Sequence, residues 1–325
     1  MYKAFHGLKC NPFEITPDPS FLYSTKKHNE ALAALYYGVR RRKGFVVLTG
    51  EVGTGKTLLV RCLLQILRQA DVAFAYVFNS RLTPMEFLQY IAGDFHLTTS
   101  GKSKAELLLE LGSYVISRGQ RNLTTVLIVD EAHHLSVDVL EEIRLLTNLE
   151  TASAKLLQIL LIGQPELDEK LDCENLRQLK QRIALRARLV PLELDETGNY
   201  IHRRLQLAGS ARAEVIFPVD TVLEVHRQSR GYPRLINTLC ENGLIHAYAK
   251  QSQTVTPEII ENIATEFRLN AVHRSPSEGS EEEDSEEIQR AAQTLLDLYA
   301  YLRDARTDRA ELKALARTGQ HEPFI

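Results

Sequence analysis

Residues 50–57 read Gly50-Glu51-Val52-Gly53-Thr54-Gly55-Lys56-Thr57, a GxxxxGK[ST] phosphate loop with every fixed position filled. The apolar run Phe45-Val46-Val47-Leu48-Thr49 precedes it, and a helix-type run from Leu58 to Leu67 follows. A strand, a glycine turn and a helix in that order form the setting in which such a loop folds. The glycines let main-chain N–H groups turn inward around phosphate oxygens, and the helix N-terminus adds its positive dipole end. In that arrangement Lys56 reaches the β- and γ-phosphates of a nucleotide, and the Thr57 hydroxyl holds Mg²⁺.

A second segment supplies the matching acid. Thr124 to Val129 is a β-branched strand that ends in Asp130-Glu131. Mg²⁺ keeps several waters and takes one or two carboxylates, so Asp130 is the expected metal partner of Thr57. Glu131 is then placed to orient and deprotonate a water attacking the γ-phosphorus. The expectation is that these groups gather at the ends of two neighbouring strands. No NKxD-type guanine reader stands out, so ATP is favoured over GTP.

From 45 to 194 short apolar strands alternate with helical stretches, the pattern of an α/β fold with a parallel P-loop sheet sandwiched by helices. Strands are expected near 45–49, 73–78, 124–129, 156–162 and 187–192. Helices are expected near 56–69, 84–95, 103–118, 137–150 and 174–183. Residues 195–270 lose the β-type runs and read as a small all-helical lid, with Pro218, Pro233 and Pro257 where helices start. Residues 1–44 form a lead-in rich in proline and aromatics, followed by a helix. Ser275 to Glu287 holds seven acidic residues and almost nothing apolar, so 271–287 reads as a disordered acidic linker. In 288–325, Ile288, Ala292, Leu295, Tyr299 and Leu302 recur at spacings of four and three, an amphipathic helix followed by a tail.

Net charge is −3 over 325 residues, with the negative excess concentrated after residue 277. The body is mildly basic, which neither requires nor forbids nucleic acid. No apolar run is long enough for a membrane span and no secretory leader opens the sequence, so a cytoplasmic setting is expected, peripheral at the inner membrane through a partner. Cys10, Cys62, Cys173 and Cys240 are far apart, without metal or redox spacing.

An ATP-binding α/β core followed by a helical lid resembles the AAA+ ATPases. Within them the sequence is similar to the general secretion pathway protein A (ExeA-like) subfamily. Matching residues are Phe5-His6-Gly7-Leu8, Asn11-Pro12-Phe13, Pro17-Asp18-Pro19, Phe21-Leu22-Tyr23 and His28. The phosphate loop, Asp130-Glu131-Ala132, Ile162-Gly163-Gln164-Pro165-Glu166-Leu167 and Gln181-Arg182-Ile183 match as well. The resemblance covers roughly residues 1–268. Its members typically continue into a membrane span and a peptidoglycan-binding domain, where this sequence has the acidic linker and short helix instead.

The resemblance implies three further roles. Gln164 matches the first sensor, which helps place the attacking water. Arg182 matches the arginine finger that reaches a neighbouring subunit's γ-phosphate, with Arg177 as the second candidate. Arg234, in Gly231-Tyr232-Pro233-Arg234, matches the second sensor. The expected catalytic set is Lys56, Glu131, Gln164, Arg182 and Arg234. The nucleotide set is Gly50, Glu51, Val52, Gly53, Thr54, Gly55, Lys56, Thr57, Leu58, Asp130 and Arg234. Phe13, Tyr23 and His28 mark an adenine pocket.

The expected activity is Mg-ATP hydrolysis in a homo-oligomer that remodels or assembles a protein partner, as in a secretion or cell-envelope complex. An ATP-dependent DNA-binding adaptor, of the transposition-regulator or origin-recognition type, is the alternative from another class. Asp130-Glu131-Ala132-His133 also spells a helicase box, but 325 residues hold one such motor core and a helicase of that kind needs two. His133-His134 read as loop residues near the nucleotide, with adjacent side chains diverging, rather than as metal ligands.

Overall fold

A computed structural model describes residues 2–78, 81–151 and 154–269. Five parallel strands form one sheet: β1 (Phe45–Gly50), β2 (Ala73–Val77), β3 (Thr125–Val129), β4 (Leu157–Gly163) and β5 (Leu185–Leu189), in the order β2-β3-β4-β1-β5. Helices fill the crossovers: α2 (Lys26–Arg40) leads into β1, and α3 (Lys56–Arg68) follows it. Next come α4 (Pro84–Asp94), α5 (Lys104–Gln120), α6 (Val137–Leu146), α7 (Glu166–Asp172) and α8 (Arg177–Lys180). A four-residue helix, α1 (Tyr2–Phe5), opens the chain.

The central strands are apolar on both sides because both faces are covered. Side chains alternate along a strand, and the two alternating sets enter different cores. Phe45 and Val47 of β1 join Leu127 and Val129 of β3 under α4–α8. Val46 and Leu48 join Val126, Ile128, Leu160 and Ile162 under α2 and α3. Each core removes apolar surface from water, at about 25 cal/mol per Å².

The strands that carry the two phosphate-site motifs are not neighbours. Strand β4 lies between β1 and β3, pairing Thr49 with Gly163 on one side and Val129 with Leu161 on the other. The tip of β4, where Gln164 follows, therefore falls between the phosphate loop and Asp130. Helix α7 is an element the sequence pattern did not reveal, because seven residues are too short to show a period. It begins after Pro165 with Glu166, Asp168 and Glu169 in its first turn, acids that suit a helix N-terminus. The stretch expected as one helix at 174–183 is a 3₁₀ turn at Glu174–Leu176 followed by α8.

Beyond β5 the chain is helical: α9 (Leu194–Leu207), α10 (Ala213–Ile216), α11 (Val219–Ser229), α12 (Pro233–Ala249) and α13 (Pro257–Glu266). They enclose a third core around Ile201, Phe217, Leu239 and Ile260. Leu8 and Phe13 belong to this core, so the start of the chain packs into the helical part rather than onto the sheet. The residues assigned to the acidic linker and the terminal amphipathic helix lie outside the described residues.

Two backbone contacts join the sheet to the helices. Leu192 N donates to Gly231 O at 2.8 Å, and Arg234 N donates to Gly53 O at 3.2 Å. Gly231 has φ +76°, and a Cβ there would lie 2.0 Å from Leu192 O. Gly231→Ala is expected to cost about 1–3 kcal/mol in backbone strain alone, with the clash added. Gly93→Ala in α4, where a Cβ meets nothing within 4 Å, is expected to be neutral or slightly stabilising. Denaturant unfolding of the two variants checks the contrast.

Candidate nucleotide site

The loop after β1 has the backbone that phosphate binding needs. Gly53 has φ +80° and Gly55 φ +98°, conformations in which a side chain is strained. A Cβ at Gly53 would lie 2.8 Å from Arg234 Cβ, and one at Gly55 would lie 3.3 Å from His28 Nε2. Lys56 is buried at the first turn of α3, with its ammonium donating to Gly50 O (2.7 Å) and Glu51 O (3.1 Å). Burial pulls its pKa below the ordinary lysine value, while Glu131, Asp130, Glu51 and Glu166 pull it back up. A cation whose hydrogen bonds are made to loop carbonyls can exchange them for phosphate oxygens with little rearrangement.

Asp130 is 5% exposed at the tip of β3. Its Oδ2 accepts from Tyr76 Oη at 2.8 Å and lies 3.4 Å from Thr57 Oγ1, while Oδ1 accepts from Glu131 N at 2.9 Å. A hydroxyl and a carboxylate facing each other beside the phosphate loop are an all-oxygen donor pair of the kind Mg²⁺ takes. The residues present fit the ion. Tyr76, on the edge strand β2, is a site residue that the motifs did not reveal. Burial pushes its phenol pKa well above the usual range, and the Asp130 charge adds to the shift.

Glu131 takes a left-handed backbone, φ 50° and ψ 37°, uncommon for a non-glycine residue. It opens the 3₁₀ turn Ala132–His134, and its Oε2 lies 3.5 Å from His133 Nδ1. His133 Nε2 lies 2.9 Å from Gln164 Nε2. The His133 and His134 rings do not diverge, as adjacent residues were expected to; their centroids are 4.0 Å apart. Helix α7 braces this corner. Lys170 Nζ donates to His133 O (2.5 Å) and Leu135 O (2.8 Å), and Asp168 accepts from Thr49 Oγ1 and Arg186 Nη1, each at 2.8 Å.

A cavity of about 330 Å³ opens where the loop, the lead-in and the helical part meet. Val52, Gly53, Gly55, Lys56, Thr57, Leu58 and Glu131 line it from the core, with Arg234, Tyr200, Arg204 and Asn237 on the helical side. Glu14, Ile15, Pro17 and Asp18 complete the wall. The aromatic residues expected around adenine are elsewhere. Phe13 is buried edge-on against Phe217, and Tyr23 meets Tyr200 edge-on. His28 supports the loop from below, at 3.2 Å from Thr54 O.

Arg204 is a further residue that the motifs did not reveal. It is 4% exposed, and it donates to Pro12 O (2.5 Å), Tyr200 Oη (2.8 Å) and Glu14 O (3.4 Å). Its guanidinium also lies 4.8 Å from the Phe21 ring centroid. The two arginine-finger candidates differ in setting. Arg182 Nη1 donates to Thr147 Oγ1 at 2.7 Å within its own subunit, whereas Arg177 is exposed at the start of α8.

A model of the AAA domain matches residues 39–171, the span from the end of α2 through β4 to α7. With the parallel sheet, the phosphate loop and the Asp130-Glu131 tip, this match shows that the chain carries an AAA domain. Its sequence is 45% identical over 256 residues to general secretion pathway protein A of Aeromonas hydrophila. That alignment takes in 78% of this chain and 46% of the relative, so the chain spans about half of the relative's length. Among solved structures, the fold is shared with Drosophila ORC bound to DNA (TM-score 0.61, 21% identity, 82% of this chain and 66% of that one). Aeropyrum pernix ORC2 shares it too (TM-score 0.59, 17% identity, 81% and 74%). Among the described residues no helix is long and apolar enough to cross a membrane.

His28 gives the site a pH signature. Its Nε2–H donates to Thr54 O, and its Nδ1, 2.8 Å from Thr25 Oγ1, accepts from that hydroxyl, so the neutral ring is fully bonded. Burial holds its pKa below 6.5. As pH falls through about 6.5 the unfolded chain therefore protonates first, and stability present above that pH is lost. Burial lowers His6 and His133 as well, so His28→Gln is expected to make the loss shallower without abolishing it. Unfolding free energies at pH 7.5 and pH 5 measure the difference.

Proposed function

We propose that this AAA ATPase binds Mg-ATP in the cavity between sheet and helical part, hydrolyses it in an assembly of several copies, and uses the cycle to remodel or assemble a protein partner. The observation that carries the reading is Asp130 facing Thr57 beside the phosphate loop, with Glu131 at the same cavity wall. The loop's main-chain N–H groups and Lys56 hold the phosphates, and Arg234, on the far wall, supplies a second cation toward the γ-phosphate. Bound Mg²⁺ would neutralise charge on the β- and γ-oxygens. Glu131 orients the attacking water and takes its proton, and Gln164 fixes the water from the tip of β4. Ile15 and Pro17 line the mouth where the base enters.

The joint contact of Arg234 N with Gly53 O supports a link between phosphate state and helical part, since the same residue lines the cavity and starts α12. Exposed Arg177 is better placed than Arg182 to reach a neighbouring copy, because Arg182 must first release Thr147. The likeness to general secretion pathway protein A favours a secretion or cell-envelope complex as the partner.

Two substitutions test the chemistry. Lys56→Ala is expected to abolish productive nucleotide binding, and Glu131→Gln to keep binding while slowing hydrolysis by roughly 10²-fold or more. Wild-type turnover in Glu131→Gln would remove Glu131 from its role. Partners that co-purify with the ATP-loaded Glu131→Gln protein identify what is remodelled.

Tyr76→Phe tests the metal assignment separately. Losing a hydrogen bond to a buried carboxylate is worth about 1.5 kcal/mol. The Mg²⁺ concentration for half-maximal nucleotide binding is therefore expected to rise about tenfold, with affinity for metal-free ATP little changed. An unaltered Mg²⁺ titration would show that the phenol does not set the carboxylate.

A further inference from the structure

Helix α12 contributes to the cavity wall a polar group that no motif announced. The buried side chains of this helix are otherwise apolar, Ile236, Leu239, Cys240, Leu244 and Ala247 among them. Asn237 is the exception: it is 7% exposed and lines the cavity. Asparagine is a poor choice for a helix interior, because its amide competes with the main chain for hydrogen bonds. Asn242, further along α12, settles its amide nitrogen on Thr238 O at 2.8 Å. Asn237 does not. Its one side-chain hydrogen bond among the described residues runs through Oδ1, and Nδ2 has no acceptor there.

The bond it does make fixes which way the amide faces. A guanidinium only donates, so the Tyr200 hydroxyl accepts from Arg204 Nη1 at 2.8 Å. The phenolic proton then goes to Asn237 Oδ1 at 2.7 Å. Tyr200 is 6% exposed and Arg204 is 4% exposed, and Arg204 is held at its other side by Pro12 O. With its oxygen committed to Tyr200, the amide keeps two N–H groups to spend, beside an open cavity. Its place along the wall narrows the choice of acceptor. Asn237 follows Arg234 by three residues and shares its face of α12. Arg234 stands at the phosphate loop, its main-chain N–H bonded to Gly53 O, whereas Tyr200 and Arg204 stand against the lead-in. Asn237 lies between the phosphate end of the cavity and the base end.

We propose that Asn237 Nδ2 donates a hydrogen bond to an acceptor atom of the nucleoside, a ribose oxygen or a purine ring nitrogen, and that the relay from Arg204 through Tyr200 turns the donor toward it. The proposal rests on the reading of this cavity as the ATP site. An amide turned the other way would present an oxygen to the same acceptor and repel it. The relay removes that option, because every proton in it runs from Arg204 toward Asn237. Recognition of the nucleoside is thereby tied to the lead-in, which holds the first member of the relay.

The test crosses variants of the full chain with ATP analogues that each lack one acceptor: 2′-deoxy-ATP, 3′-deoxy-ATP, 1-deaza-ATP, 3-deaza-ATP and 7-deaza-ATP, with affinities measured by titration calorimetry in the presence of Mg²⁺. In the wild type one of these analogues is expected to bind roughly 3- to 10-fold more weakly than ATP, the worth of one hydrogen bond. Asn237→Asp keeps the oxygen that Tyr200 meets and loses the donor. Its charge weakens every nucleotide alike, so the reading is the ratio of analogue to ATP within each protein. That ratio is expected to fall to within about twofold of one, as for two groups that interact directly. Asn237→Ala is expected to show the same collapse, and it provides the test if the aspartate variant is unstable. Tyr200→Phe removes the hydroxyl that fixes the amide and is expected to shrink the same ratio.

The analogue whose deficit vanishes in the variants identifies the atom, and so tells ribose from base. Analogue ratios that stay at their wild-type values in Asn237→Asp and Asn237→Ala would overturn the contact, and an unchanged ratio in Tyr200→Phe would overturn the relay. Lys56→Ala separates the two levels of inference. If it binds ATP as the wild type does, the cavity is not the nucleotide site and the contact falls with it. If it loses binding while the analogue ratios ignore residue 237, the contact alone is wrong.

Discussion

Concentrated charge in a confined space governs this molecule. Lys56 and Asp130 are nearly removed from solvent, 6% and 5% exposed, Lys56 in the first turn of the helix that follows β1 and Asp130 just past the tip of β3. Burying such groups is costly unless each finds partners. Lys56 finds two loop carbonyls, and Asp130 finds a phenol and a main-chain N–H with a threonine hydroxyl nearby. The sheet makes this possible by ending three central strands at one edge, and α7 ties the β4 end to the β1 end through Asp168 and Thr49.

The local motifs were legible because each is contiguous in sequence. The phosphate loop announces itself through glycines, and the Asp130-Glu131 tip through the strand before it. All five strands and the longer helices follow from period and composition, with boundaries displaced by a few residues. The arrangement of strands was not legible in the same way. A sequence gives the order along the chain, and insertion of β4 between β1 and β3 is a tertiary pairing that places Gln164 between the two motifs. Tyr76 was silent for a related reason. A tyrosine in a short edge strand reads as β propensity, and its bond to Asp130 spans 54 residues.

The lead-in illustrates how a motif can be recognised and its task misplaced. In sequence Phe13, with Tyr23 and His28, reads as part of an adenine pocket. Phe13 instead fills the helical core beside Phe217, and the stretch lends its carbonyls to Arg204. Burial decided the outcome: a phenylalanine removes more apolar surface by entering a packed core than by lining an open mouth. The lead-in residues left on the cavity wall are Glu14, Ile15, which is more than half exposed, Pro17 and Asp18.

Arg204 and Arg61 hold that lead-in from opposite banks. Arg204, on α9, grips Pro12 and Glu14, while Arg61, on α3, donates to Pro17 O at 2.6 Å. Phe21 and Tyr23 then turn back to the helices, against Arg204 and Tyr200, so one short segment is stitched to both sides in turn. Any displacement of the helices from the sheet would pull on this segment from both ends, through Arg204 on one side and Arg61 on the other.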